Sequence, residues 1–115
     1  MNEAIREVLG EAGAPPLPEP LAGSIVDSHT HLDTVQDVVG IEPAISLAAA
    51  REVGVTRIAQ IGCDVAGSEF AEELARTHKN VIAAVAIHPN DAARLGRKKI
   101  GDALKRIDEL ANVCL

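Results

Sequence analysis

Apolar and polar positions follow two regimes along this chain. Near the N-terminus, Ile5, Val8 and Leu9 stand at i, i+3 and i+4, which predicts a short helix within residues 1–12. The segment Ala14-Pro15-Pro16-Leu17-Pro18-Glu19-Pro20 follows. Its prolines remove backbone donors and fix φ, so this stretch is expected to run extended without regular structure. Residues 1–23 therefore read as an N-terminal extension that ends in a stiff linker.

From Ser24 the pattern becomes an alternation of short apolar runs and amphipathic stretches. Ile25 and Val26 open a short strand, expected to be buried, that runs into a pair of histidines. Pro43 suits a first helical turn, with Ile45, Ala48, Ala49 and Val53 on one face and Gly54 as the stop. Residues 55–61 form a second strand that ends at Gly62. Residues 68–78 form a helix with Phe70, Leu74 and Ala75 inward. The continuous apolar run 81–87 is a third strand. A further helix near 100–111 is expected to turn Leu104, Ile107 and Ala111 toward the core. Strands alternating with helices predict an α/β fold with a parallel sheet and right-handed crossovers. Asn112-Val113-Cys114-Leu115 reads as the start of a fourth strand. A sheet of three or four strands leaves an edge and apolar faces uncovered, so the expectation is a fragment of a larger α/β protein.

Composition narrows this picture. Of 115 residues, 47% are hydrophobic and 24% charged, an ordinary balance for a globular domain with a core of its own. Phe70 is the sole aromatic residue, so the core must be built from Ala, Val, Ile and Leu. The net charge of −6 repels nucleic acid at long range. It does not exclude a nucleic acid substrate, because bound cations invert the field locally. Against this acidic background, Arg94, Arg97, Lys98 and Lys99 form a basic run. It could attract a nucleic acid backbone, or be a solvated loop and helix start. Cys63 and Cys114 are far apart and make no disulfide framework, which fits a reducing cytosol. Each also suits the place of a small buried hydrophobe. The N-terminus has no signal-peptide pattern, and no apolar run approaches membrane-spanning length. A cytoplasmic, soluble protein is expected, with no membrane contact and no obligate protein partner.

The candidate chemistry begins at His29 and His31. Residues two apart on a strand point to the same side. Two imidazoles at a strand's C-terminal end can share a divalent ion, zinc or another first-row metal. A bare His-x-His also describes two ordinary surface or core histidines. No Gly-rich phosphate loop, nucleophile elbow or Cys-x-x-Cys pair accompanies it.

The surrounding residues add a resemblance. Ile25-Val26-Asp27-Ser28-His29-Thr30-His31-Leu32-Asp33 resembles the first-strand motif of the TatD-related deoxyribonucleases, metal-dependent hydrolases of the amidohydrolase-like group. In order along the chain, Arg51-Glu52-Val53-Gly54-Val55 resembles the exit of that family's first helix. Ile61-Gly62-Cys63-Asp64 resembles its second strand end. Ala84-Val85-Ala86-Ile87-His88-Pro89 resembles its third strand and the His-Pro turn. The resemblance covers residues 24–115. It implies a partial (β/α)8 TIM barrel of about three βα units, and a parent enzyme that hydrolyses phosphodiester bonds in DNA. It implies one or two divalent ions per complete site (zinc, magnesium or manganese), with His29 and His31 as ligands. Such ions polarise the phosphoryl group and lower the pKa of a bound water.

The resemblance further suggests that His88 lines the site or contacts substrate phosphate, although it also reads as a loop histidine held by Pro89. Asn90 stands where family members often carry another His, a departure that bears on phosphate contact. The Glu after the fourth strand, the two later His and the late Asp of the family have no counterpart in this sequence. The 115 residues alone are therefore expected to lack appreciable activity. Asp33 could orient a ligand from behind, or cap the following segment. Asp27 could share the histidines' face, or hydrogen-bond across strand ends. Asp64 reads as a turn or cap residue and His78 as a solvated helix-end residue. Two further readings stand beside the nuclease: an amidohydrolase-like enzyme acting on an amide or ester, and a non-catalytic fragment that at most binds metal weakly.

Overall fold

The computed structural model describes residues 3–114. In chain order the elements are α1 (Glu3–Glu11), β1 (Ile25–Thr30), α2 (Leu32–Val39), α3 (Pro43–Glu52), β2 (Val55–Ile61), α4 (Val65–Thr77), β3 (Val81–Ala84) and α5 (Pro89–Val113). The strands form one sheet in the order β1-β2-β3. They run parallel, with residues 58–61 of β2 opposite 81–84 of β3 in register. The expected α/β alternation is present, and it is compatible with part of a (β/α)8 barrel. The chain divides into two compact units. One holds the residues up to Asp27 together with His31–Arg57, the other Ser28–Thr30 together with the chain from Ile58 onward.

In the first unit, one apolar face of α1 sets Leu9 into a cluster with Ile41 and Ala49, surrounded by Ile5, Leu17, Val35 and Ile45. The proline segment has no regular structure, as its composition requires. Pro43 occupies the first turn of α3, whose Leu47 and Ala49 are buried. The helix stops where Gly54 adopts φ +96°, and a Cβ there would lie 2.9 Å from the Gly23 carbonyl oxygen. Both the left-handed backbone and the close approach call for glycine. Leu21 N–H donates to the Val53 carbonyl at 3.0 Å and Ile25 N–H to that of Gly54 at 2.9 Å. These bonds lead the chain into β1 alongside β2. The Ser24 and Thr56 hydroxyls hydrogen-bond to each other.

Two features depart from expectation here. Helix α2 was not foreseen, although Leu32, Val35 and Val39 have helical spacing and Gly40, at φ 76°, ends it. The start of β1 is exposed, with Ile25 at 46% and Val26 at 55%, because β1 is an edge strand of the sheet.

In the second unit, α4 packs on β3 and α5 on α4. The Asp64 carboxylate accepts the Gly67 N–H at 2.6 Å. This cap starts the helix at Val65, three residues before the expected start at Ser68. Ala71, Leu74 and Ala75 are buried, while Phe70 is half-buried. Two polar side chains are fully enclosed, Gln60 and Ser68. The Thr30 hydroxyl lies 3.0 Å from the Ala59 carbonyl oxygen and 3.2 Å from Gln60 Oε1. The Ser68 hydroxyl accepts the Ala86 N–H and donates to the Ala86 carbonyl, both at 3.1 Å.

That clasp explains why β3 ends at Ala84 and not at Ile87. Gly62 N–H donates to the Ala84 carbonyl at 2.8 Å, and β2 has already ended at Ile61. Beyond that point the Ser68 side chain takes the place of a neighbouring strand. Helix α5 contains a break at Gly96, where φ 69° and ψ −179° are accessible only to glycine. Its buried residues are Ala103 and Leu110, with Ile107 half-buried and Leu104 53% exposed. The inward residues are thus 103, 107 and 110 in place of the expected 104-107-111 stripe, a neighbouring helical stripe that shares Ile107. Asn112 and Val113 close α5 and do not open a strand, and Leu115 lies outside the described residues. Arg106 bridges Glu69 at 2.9 Å and Glu109 at 3.2 Å, and the hydrogen bonds it donates to those carboxylates hold its guanidinium pKa above the ordinary value.

The contact between Gly62 and Ser68 admits no side chain. A Cβ on residue 62 would lie 2.6 Å from Ser68 Cα and 2.8 Å from its nitrogen, and would also meet the hydroxyl. Ser68→Ala is expected to cost about 1 kcal/mol, the worth of its hydrogen bonds to a strand end that water can reach. Gly62→Ala is expected to cost more, about 1–3 kcal/mol, through overpacking against backbone. Because that clash involves main-chain atoms, the double variant should remain at least as unstable as Gly62→Ala alone. Urea unfolding followed by circular dichroism measures all three.

Candidate functional site

Parallel strands joined by right-handed crossovers bring their C-terminal ends to one edge of the sheet. In the second unit that edge carries His29 from β1, Cys63 and Asp64 after β2, and the 85–88 segment after β3. His29 is exposed. β2 lies between β1 and β3, which are therefore about 10 Å apart across the sheet.

His88 is positioned by local chemistry. The residue before a proline is driven to extended backbone, and His88 has φ −64° and ψ 145°. Pro89 then starts α5 without wasting a donor. His88 N–H donates to the Cys63 carbonyl at 2.7 Å, tying the turn to the end of β2. Its Nδ1 accepts the Asn90 N–H at 3.1 Å, an N-cap made by an imidazole. A neutral ring that accepts at Nδ1 carries its proton on Nε2, so this exposed residue presents a hydrogen-bond donor outward.

His31 belongs to the first unit. It lies just past the end of β1, as the N-cap residue of α2 with φ −132° and ψ 71°, and is half-buried. It makes no side-chain cap bond, and its carbonyl accepts the Val35 N–H at 3.2 Å. The alternation that would place both histidines on one side assumes a strand continuing through residue 31, whereas β1 ends at Thr30.

The secondary candidates divide clearly. Asp64 is a helix cap. Asp33 is in the first turn of α2, where the helix dipole favours a carboxylate, and the cap position itself is taken by His31. Asp27 lies within β1 and is exposed. His78 ends α4, its Nδ1 3.0 Å from Thr77 Oγ1 and 3.3 Å from the Leu74 carbonyl oxygen. Cys63 and Cys114 are both half-buried thiols, and Cys114 Sγ lies 3.5 Å from the Ala83 carbonyl oxygen.

Sequence reasoning passed over Ser68 and Gln60, which brace the strand ends from behind. Ser68 could have been noticed as a polar residue on the inward face that continues through Ala71 and Ala75.

Among the described residues, no group of three or more His, Cys, Asp or Glu is placed to hold a metal ion. A catalytic divalent metal takes about three protein ligands. The donor chemistry of two imidazoles suits such an ion, but the described residues do not make a complete site, and no chemical step is assigned to one here.

Replacing His88 by Ala removes the acceptor for Asn90 N–H. The expected loss is about 1 kcal/mol, as for other N-caps, with most of it recovered in His88→Asn. Thermal or urea unfolding of both variants checks this.

No curated protein matches this chain. The family model of the TatD-related DNases matches residues 26–114, which begins at β1 and runs through the end of α5. With residues 26–114 of 115 matched, the chain belongs to the TatD-related DNase family.

Proposed function

We propose that this chain is part of a metal-dependent hydrolase that cleaves phosphodiester bonds in DNA, built on a (β/α)8 barrel of which residues 24–115 supply about three βα units. The observation that carries the reading is the family match over residues 26–114, which includes the His29-Thr30-His31 segment and the His88-Pro89 turn. Family membership supports a hydrolase at the level of class, and DNA as the substrate class follows from the family's description.

In this reading His29 and His31 are metal ligands. Imidazole chemistry supports the assignment, and a complete catalytic site needs further ligands. Zinc, magnesium and manganese are the candidate ions, one or two per site. His88 contacts a phosphate oxygen of the substrate through the Nε2 proton that its cap geometry directs outward. The hydrolytic step itself is assigned to none of these residues. No helix among the described residues is long and apolar enough to cross a membrane. We place the protein in the cytoplasm, in keeping with Cys63 and Cys114, which form no disulfide.

The test has two parts. Titration calorimetry of this chain with zinc and manganese is expected to show weak binding that disappears in His29→Ala with His31→Ala. Tight binding that survives both substitutions would place the metal elsewhere. DNA cleavage by the intact protein is expected to require divalent metal and to fall at least about 100-fold in either single variant, since small errors of placement already cost that much. Turnover of an amide or ester without cleavage of DNA would overturn the nuclease reading in favour of an amidohydrolase.

A further inference from the structure

The chain is acidic, yet its cations are not spread evenly. Four of the eleven Lys and Arg residues, Arg94, Arg97, Lys98 and Lys99, fall within residues 92–101, which contain no Asp or Glu. All four side chains belong to exposed residues. They flank Gly96, where the path of α5 changes direction. Arg94, before the break, pairs with Asp91 at 3.4 Å. Arg97, Lys98 and Lys99, after it, pair with no carboxylate among the described residues. This contrasts with Arg106 further along the same helix, which Glu69 and Glu109 hold between them.

A shallow cleft of about 290 Å³ lies beside the break, lined by Asp64, Val65, Asp91, Arg94, Leu95 and Lys99 among others. Both of its carboxylates are engaged. Asp64 accepts the Gly67 N–H, and Asp91 is bound by Arg94. Lys99 is the cation of the cleft that has no carboxylate partner there.

The placement relative to His88 matters. Helix α5 starts directly after that residue, and the helical rise from Pro89 to Leu95 is about 9 Å. That distance is close to three nucleotides of a DNA strand at about 3.4 Å each. A polyanion with one of its phosphates near His88 therefore has others within reach of the cations around Gly96. Phosphate contacts of this kind position a strand without reading its sequence.

We propose that residues 94–99, displayed around the break in α5, form a docking surface for the phosphate backbone of DNA, with Arg97, Lys98 and Lys99 as the principal contacts. The proposal rests on the reading of the chain as part of a DNA hydrolase. It adds to that reading a binding surface separate from the histidines at the end of β1, and it resolves a conflict in the charge. The chain's overall field repels DNA, whereas this one segment attracts it and so orients any strand that approaches.

Fluorescence anisotropy with a short labelled DNA, in EDTA, tests the surface without any need for catalysis. Wild type is expected to bind with an affinity that falls steeply with salt. Arg97→Gln with Lys98→Gln and Lys99→Gln should weaken binding at low salt by at least about tenfold, and should reduce the slope of log affinity against log salt by about 2–3. The substitutions are on exposed helix surface, and far-UV circular dichroism checks that the fold is kept. The single charge reversal Lys98→Glu should act in the same direction. Lys79→Gln, an exposed cation elsewhere in the same unit, should leave both affinity and slope unchanged. Undetectable binding by wild type, an unchanged slope in the triple variant, an equal loss in Lys79→Gln, or binding of RNA but not DNA would each overturn the proposal. DNA binding of the expected form by a protein that cleaves no DNA would uphold the surface while the hydrolase reading fails. Cleavage of DNA with binding indifferent to the three substitutions would do the reverse.

Discussion

The approach of α4 to the end of β2 constrains everything at the candidate edge of the sheet. Gly62 has no side chain, and the Ser68 backbone occupies the space where one would be. That contact lets the Ser68 hydroxyl reach Ala86 and hold both of its backbone polar groups. It fixes where β3 stops pairing and hence where the chain turns toward His88. The His88 N–H then returns to Cys63, the residue after Gly62, and closes the loop of dependence. A core made of small aliphatic side chains offers few distinctive shapes, and helices can slide over such a surface at little cost. A buried hydroxyl with two partners has one position in which it is satisfied, so it supplies the register that the apolar contacts leave open.

Much of this fold is legible from the sequence because glycine and proline mark where several of its elements begin and end. β2 has the expected bounds, 55–61, since Gly54 and Gly62 close the segment on both sides. The stop of α3 is equally clear at Gly54, whose left-handed backbone is a local property. What local pattern could not fix were features settled by distant partners. β3 is an apolar run through Ile87, but pairing ends with its neighbour at Ile61. The inward face of α5 is ambiguous because 103-107-110 and 104-107-111 both fit a helical stripe through Ile107, and contact with α4 decides between them. β1 is apolar at its start yet exposed, since burial of a strand depends on what covers it.

The candidate site divides along the same line. His29, His31 and His88 are visible because their spacing, the strand ends before them and the proline after His88 are all local signals. The backbone at His88 follows from Pro89 alone, and the cap to Asn90 follows from the backbone. The end of β1 at Thr30 is a different matter. Alternation within a strand says which side a residue faces only while the strand lasts, and here a helix begins at Leu32. Completion of a metal site depends on donors that are remote in sequence, which spacing cannot report. Gln60 and Ser68 were hidden for a related reason: each is a polar residue whose partner lies on another element.

The break at Gly96 also bears on how this chain can vary in length. Inserting one residue into an unbroken helix turns everything beyond it by about 100° and drags the buried stripe out of its seat. At Gly96 the two halves of α5 are already decoupled in direction, so their side chains need not share one helical phase. An added or lost residue there can be absorbed in the joint, leaving Pro89 to Leu95 fixed to the His88 turn and Ala103 and Leu110 seated in the core. Such a joint gives related chains a place to gain or lose residues while the strand ends, and the chemistry arranged on them, stay where they are.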